Sequence, residues 1–475
     1  MSKMKGDFFM NKWMKAALCA GITTGVLFSG VLPNQMAEAA EAVTAPAKVQ
    51  NGIQSVSVIT KVYGDGELPA YAVLAYPKAI NGKNLNADDF SVEGQTIESI
   101  KTSAVADPES KERAGRYVFL KLAHTNTAYD GDLAKQPGHE EHEKKMAAGT
   151  QGSDGKMQQD APMHSERQLP DLTLKVKQVK DIKAIDGTVY HASSREVTSS
   201  STVEPEISQF QQFTYTDPET GYQLPCNLYL PKDYDSSKKY PLLFFVADAS
   251  ADINETTTPL FQGNGATVWT EPEEQAKHPC IVFAPQYTDN LINQIGMLTA
   301  DSNTWTKGLT LVSHALQSVI DNYAVDTNRI YGTGQSQGGM TNIALSDKYP
   351  DLFAAQWLVA CQWNTDEMKV LKDKNLWITV CEGDTKAHPG MDEAVAKWEA
   401  LGTKVAKNDT FWDSKAPIAT IDQQVKDLES QGAHINYTVF AGGNHMYTWS
   451  FAYNIDAIRD WLFGQTKDGT PVKND

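Results

Sequence analysis

The sequence predicts an α/β protein, a doubly wound and mostly parallel sheet with helices on both faces, preceded by an antiparallel β-sandwich. Three observations predict it. Strand-like and helix-like segments alternate from about residue 205 onward, whereas only β-rich runs occur between about 50 and 200. A polar, serine-rich stretch, Ser193 to Pro205 (SSREVTSSSTVEP), separates the two patterns.

The N-terminal segment reads as an export signal. Lys3, Lys5, Lys12 and Lys15 precede the uncharged stretch Ala16 to Leu32, and Ala37-Glu38-Ala39 follows as a small-x-small cleavage site. The apolar part is short, and no later stretch approaches the ~20 apolar residues that a spanning helix needs. The expectation is a secreted protein, cleaved after residue 39, with no integral membrane span left. Residues 40–200 form the predicted β-sandwich. Its runs Ser55 to Tyr63, Ala70 to Tyr76, Arg116 to Leu120 and Leu172 to Lys177 alternate or are rich in β-formers. Residues near 125–169 break the pattern and read as a mobile, polar, solvated insertion in the β-sandwich domain. Within it, His139 and His142 are three residues apart, not the four that a helical zinc-protease pair needs, so no metal site is assigned.

Residues 205–465 carry the α/β pattern, with helices expected over Gly308 to Asn322, Gly338 to Lys348, Met391 to Leu401, Ile418 to Gln431 and Phe451 to Phe463. A polar tail, 466–475, follows. The whole chain of 475 residues has 42 Lys and Arg against 59 Asp and Glu. The signal segment takes four lysines and two acids, Asp7 and Glu38, leaving 38 against 57 and a net charge of −19. An acidic surface of that kind argues against nucleic acid or anionic membrane as a partner. Cys226, Cys280, Cys361 and Cys381 each fall in an apolar strand-like run, as buried free thiols do, although export permits disulfides. No phosphate loop or dinucleotide fingerprint is present, and no cofactor is expected.

One pentapeptide carries chemistry. Gly334-Gln335-Ser336-Gln337-Gly338 directly follows the strand-like run Asn328 to Thr333 and precedes a helical segment. That is the context of the sharp turn that exposes a nucleophilic serine. A serine hydroxyl needs a base, and the base an orienting acid, in the chain order Ser, Asp or Glu, His. Asp384 lies just past the apolar run Leu376 to Cys381 and is the expected acid, with Glu382 as its competitor in a packing or hydrogen-bonding role. His445 lies in the loop Ala441-Gly442-Gly443-Asn444-His445 after the strand-like Ile435 to Phe440 and is the expected base. His388 is too close to Asp384 in sequence to face it, His278 and His434 read as turn residues, and His314 falls inside a helix.

The segments Tyr331 to Met340 (YGTGQSQGGM), Cys381 to Met391 (CEGDTKAHPGM) and Gly442 to Tyr447 (GGNHMY) resemble secreted bacterial α/β-hydrolase esterases. These are related to polyhydroxybutyrate depolymerases and feruloyl esterases and are often labelled prolyl-oligopeptidase-like. Phe213 to Lys232 is similar to their opening hairpin, and Gln275 to Pro279 with Val282 to Gln286 to their next strand. The resemblance spans roughly 205–465, and a subset of the family carries an immunoglobulin-like domain ahead of the hydrolase, as the β-sandwich here would. It implies a serine esterase acting on small-molecule or polymeric esters, with Ser336, Asp384 and His445 as the triad. Where such enzymes usually carry His-Gly-x-Gly, this chain has Ala247-Asp248-Ala249-Ser250. The expected oxyanion donors are then the main-chain N–H groups of Gln337, Asp248 and Ala249, with the Asp248 carboxylate turned away. Trp305, Trp363 and Trp449 are expected on loops at the strands' C-terminal edge, as candidates to line a substrate pocket. A peptidase using the same triad, or a catalytically weak binding protein, are the alternatives.

Overall fold

In the run Ser55–Tyr63 the second, fourth and eighth residues are buried, as one face of a pleated strand requires. In this computed structural model, which describes residues 52–132, 135, 169–251, 253–300 and 302–472, that run is strand β1. The signal segment, the His139 to Lys145 stretch and most of the predicted insertion lie outside the described residues. Strands β2 (Gly66–Ile80), β3 (Phe90–Val92), β4 (Ile97–Ser103), β5 (Gly115–Leu122), β6 (Lys175–Gln178), β7 (Ile182–Lys183), β8 (Val189–Tyr190), β9 (Val197–Thr198) and β10 (Ser201–Val203) follow. They form a five-stranded sheet of order β10-β1-β2-β5-β4, a three-stranded sheet β3-β6-β9 and the pair β7-β8. One apolar cluster draws Val58, Leu74 and Leu120 from the first sheet and Phe90 and Val176 from the second, so the two sheets share a core as in a β-sandwich. The pairings are antiparallel except at the edge, where β10 runs parallel to β1.

The C-terminal part is a nine-stranded sheet of β11 (Gln211–Thr216), β12 (Gln223–Tyr229), β13 (Tyr240–Val246), β14 (Ile281–Pro285), β15 (Val325–Gln335), β16 (Ala355–Val359), β17 (Asn375–Cys381), β18 (Val405–Lys407) and β19 (Ile435–Phe440). Their order is β11-β12-β14-β13-β15-β16-β17-β19-β18. An antiparallel hairpin joins the sheet through β12 and β14, and the remaining neighbours are parallel. The central strands are apolar on both faces because helices cover both. Along β13, Leu243 and Phe245 enter one cluster while Leu242, Phe244 and Val246 enter the other. From β13 the chain crosses to β14 on one side and then to β15 on the other, which opens a crevice at the carboxyl ends of β13 and β15.

Two helices differ from the sequence expectation. The predicted Phe451 to Phe463 helix is two, His445–Ala452 and Asp456–Phe463, because Asn444 caps a new start upstream and the chain turns at Tyr453 to Ile455. The helix expected from Met391 begins at Ala387, since Pro389 falls in its first turn, where a missing N–H costs no intrahelical bond. Among the described residues no helix is long and apolar enough to cross a membrane. All four cysteines from Cys226 onward are free and buried.

By contacts the chain divides into two compact units, and their limits do not follow the linker alone. The unit that holds the nine-stranded sheet also includes residues 60–68 and the described residues of 124–172. Within it, Glu67 is buried and Glu206 half-buried. Loss of water pushes both up to about 7, against a hydrogen bond from Thr60 for Glu67 and the Val62 N–H for Glu206. Each folded-state value lies above the ~4.3 of an unfolded glutamate, so the folded chain holds these protons more tightly. Their contribution to stability is full below about pH 4.5 and is lost as the pH rises through about 7. We expect the melting temperature to fall between pH 5 and 8, and Glu67→Gln to flatten that fall. Melting curves at both pH values for the two proteins are the check, and an equally steep fall in the variant would refute it.

Candidate active site

The turn after β15 is built by close packing. Ser336 has φ 51° and ψ −119°, a conformation that costs a residue with a side chain on the order of 1–3 kcal/mol. It is held there by its own N–H, which donates to Val359 O at 3.0 Å, and by its carbonyl, which accepts from Met340 N at 3.0 Å. The flanking glycines are steric requirements. A Cβ at Gly338 would stand 1.8 Å from Val246 O, and one at Gly334 would stand 2.5 Å from the same oxygen. The register Val246↔Gly334 thus sets the end of β13 directly against the elbow. Ser336 is carried outward at the head of the helix Gln337–Lys348.

Asp384 sits three residues past β17 and is 1% exposed. Its Oδ1 accepts from the N–H groups of Lys386 and Ala387 at 3.0 and 2.9 Å. Its Oδ2 lies 2.6 Å from His445 Nδ1. Burial opposes ionisation, but the bond to His445, its charge and the two N–H donors outweigh it and hold the carboxyl below the usual aspartate range. The opposite ring atom, His445 Nε2, lies 2.8 Å from Ser336 Oγ. The structure therefore brings Ser336, His445 and Asp384 into one hydrogen-bonded line, from the ends of β15, β19 and β17.

The remaining residues singled out in the sequence fall as follows. Asp248 is 3% exposed; its Oδ1 accepts from Ser250 N at 2.8 Å and from the Ser250 hydroxyl, and its Oδ2 from Gln335 Nε2 at 3.4 Å. Ala249 opens the short 3₁₀ turn Ala249–Ala251. Gln337 is the first residue of its helix. Trp449, one helical turn past His445, sets its ring edge-on to the imidazole with centroids 5.4 Å apart. Trp305 and Trp363 are not with them. They line a separate cavity of about 450 Å³ with Ala344, Asp347, Lys348, Glu367 and Val370. It is built on the second half of the elbow helix, roughly 12–18 Å along the axis from Ser336. Asp347 there is pushed up to about 7 by loss of water and by the charge of Glu367, against the Trp363 indole.

The competitors are engaged elsewhere. Glu382 is exposed and its Oε2 accepts from Gly442 N at 2.9 Å, which steadies the loop leading to His445. His388 Nδ1 is 3.2 Å from Glu382 O, His314 Nδ1 is 3.0 Å from Asp217, and His434 Nδ1 is 2.9 Å from Asn375. Glu274, His278 and Asp460 approach one another within 4.8 Å, but Arg459 pairs with Glu274 at 3.0 Å and Lys277 lies 3.7 Å from Asp460, so cations already face these carboxylates. Sequence reasoning missed Asn444. It is 1% exposed and caps the helix of His445, and the sequence signal was an Asx residue three positions before Tyr447 at a helix start.

Comparison with known proteins bears on the fold and on both parts of the chain. Residues 55–191 match the esterase Ig-like N-terminal domain, and residues 311–468 match the prolyl oligopeptidase family. The C-terminal part has the α/β-hydrolase fold. A solved thermostable esterase covers 87% of this chain and 100% of its own at 24% identity and a TM-score of 0.64, so the similarity includes the Ig-like part. The feruloyl esterase module from Clostridium thermocellum covers 56% of this chain and 90% of its own at 13% identity and a TM-score of 0.36. S-formylglutathione hydrolase from Staphylococcus aureus covers 53% and 94% at 15% identity and a TM-score of 0.32. None of the curated proteins matches the chain.

Proposed function

We propose that this α/β-hydrolase is an exported serine esterase that cleaves carboxylic esters through an acyl-enzyme. The observation that carries the reading is the imidazole of His445, 2.8 Å from Ser336 Oγ on one side and 2.6 Å from Asp384 on the other. Ser336 Oγ attacks the acyl carbon while its proton passes to His445 Nε2. The oxyanion is received by the N–H groups of Gln337 and of the Asp248–Ala249 turn. His445 returns the proton to the leaving alcohol, and the acyl group stays on Ser336. Water then repeats the sequence, releasing the acid and restoring the serine. Asp384 keeps the ring's Nδ1 protonated and facing it throughout, and Trp449 packs against the base as the one tryptophan kept for this site.

Ester rather than amide cleavage is favoured by the match of 55–191 to a domain described as the N-terminal domain of esterases, and by the likeness to a thermostable esterase. The second reading, a peptidase with the same triad, draws on the match of 311–468. Hydrolysis of p-nitrophenyl acetate and butyrate by the mature protein, set against an aminoacyl-anilide, separates them. Ester turnover at least tenfold above anilide turnover is expected; the reverse makes it a peptidase, and turnover of neither makes it a binding protein.

The Asp248 carboxylate accepts hydrogen bonds from Ser250 and Gln335, which supports the reading that it is turned away from the oxyanion. Asp248→Asn keeps an acceptor for the Ser250 N–H, and we expect kcat on p-nitrophenyl butyrate to stay within about threefold, since removing a true oxyanion donor costs ~10²–10³. A loss of that larger size, with circular dichroism unchanged, would bring Asp248 into the chemistry.

A further inference from the structure

The base stands on a loop that needs outside support. Gly442 and Gly443 both have positive φ, 60° and 65°, and a Cβ at Gly443 would press on Cys381 Sγ at 2.7 Å. Glycines lend such a loop freedom that something else must remove. Asn444 is the next residue, and every polar atom of its side chain is committed. Oδ1 accepts from Tyr447 N at 2.9 Å, while Nδ2 donates to Tyr129 O at 2.5 Å and Gly131 O at 2.7 Å.

Those two carbonyls come from more than 300 residues upstream, and the segment that bears them is pinned along its length. At its start, His124 Nε2 lies 2.8 Å from Asp65 Oδ1, its ring stacks on Tyr63 with centroids 3.7 Å apart, and Thr127 N donates to Asp65 Oδ2 at 2.9 Å. In its middle, Asn126 Nδ2 donates to Ser450 Oγ at 2.9 Å, on the same helix as His445. At its end, Asp130 pairs with Lys415 at 2.6 Å. Residues 63–65, 124–131 and 415–450 belong to one unit of the chain.

We infer that residues 124–131 act through Asn444 as a positioning strap for the base, fixing the loop and helix start from which His445 reaches Ser336. Asn444 is the positioning residue, and the strap grips it with main-chain carbonyls. The inference rests on the Ser336–His445–Asp384 reading. A misplacement of about 1 Å in a reacting pair costs on the order of 10²-fold, so a looser Asn444 should be felt in kcat and far less in substrate binding.

The test uses the full mature chain. Asn444→Ser keeps an oxygen to cap the helix but loses both donors to the strap. Asn444→Asp keeps shape and cap and turns a carboxylate toward two carbonyls. We expect kcat on p-nitrophenyl butyrate to fall roughly 10- to 100-fold in each with KM within about threefold, and labelling of Ser336 by a fluorophosphonate to slow in parallel. Asn126→Ala and Lys415→Ala, which loosen the strap without touching the loop, should lower kcat several-fold in the same pattern. A merely structural role would lower the melting temperature and leave kcat and labelling rate unchanged well below it, and that result overturns the inference. Should the Asn444 variants fail to fold, Asn126→Ala and Lys415→Ala decide, and wild-type kcat in both refutes it. Ser336→Ala and His445→Ala run alongside: near-wild-type activity in either overturns the triad itself, whereas a loss of ~10³-fold or more in both beside unchanged strap variants overturns the strap alone.

Discussion

Ser336→Ala is expected to lower ester turnover by ~10⁴- to 10⁶-fold and to leave the fold intact. The hydroxyl is the atom 2.8 Å from His445 Nε2, and without it no acyl-enzyme forms. What activity persists comes from the oxyanion donors and from binding alone. Alanine keeps the β-carbon that serine already carries at φ 51°, so the strain of the elbow is unchanged and stability should move by less than about 1 kcal/mol. Turnover of p-nitrophenyl butyrate, circular dichroism and fluorophosphonate labelling check it together. Labelling of another serine, with Ser336 untouched, would sink the assignment.

Asp384→Asn is expected to reduce kcat by ~10²–10⁴. Oδ1 is committed to the N–H groups of Lys386 and Ala387, so an asparagine keeps its oxygen there and presents its NH₂ to the imidazole. His445 Nδ1 must then accept, its proton moves to Nε2, and the nitrogen facing Ser336 ceases to be a base. Glu382→Gln is the control, because glutamine still offers an oxygen to Gly442 N. A larger loss in Glu382→Gln than in Asp384→Asn would place the orienting acid elsewhere in the loop.

The fold is legible in the sequence where burial on both faces writes an unbroken apolar run, as in Leu242 to Val246, or where one-sided burial writes an alternation, as in Ser55 to Tyr63. Ser336, Asp384 and His445 are legible as candidates for a related reason: each follows such a run by a few residues, and parallel strands bring those ends to one edge. What sequence hides is whatever depends on distant segments. Nothing in Tyr129 or Gly131 announces that their carbonyls meet Asn444, because a main-chain acceptor is the same in every residue. The placement of Trp305 and Trp363 is hidden likewise. Trp363 stands four residues past β16 and Trp305 just ahead of the helix Lys307–Asn322, yet both line a cavity with side chains of the elbow helix. The split of the last helical stretch was missed because Tyr453 to Ile455 contains neither proline nor glycine to announce a turn.

The carbonyl of Val246 has a consequence for how such a chain is recognised at all. Two of the three fixed letters of the pentapeptide, Gly334 and Gly338, answer to that one oxygen, and only the third carries a hydroxyl. A descendant that lost its hydroxyl would still be obliged to keep both glycines in order to fold. The glycine frame is therefore a fossil of architecture, able to outlive any chemistry at the residue between the glycines.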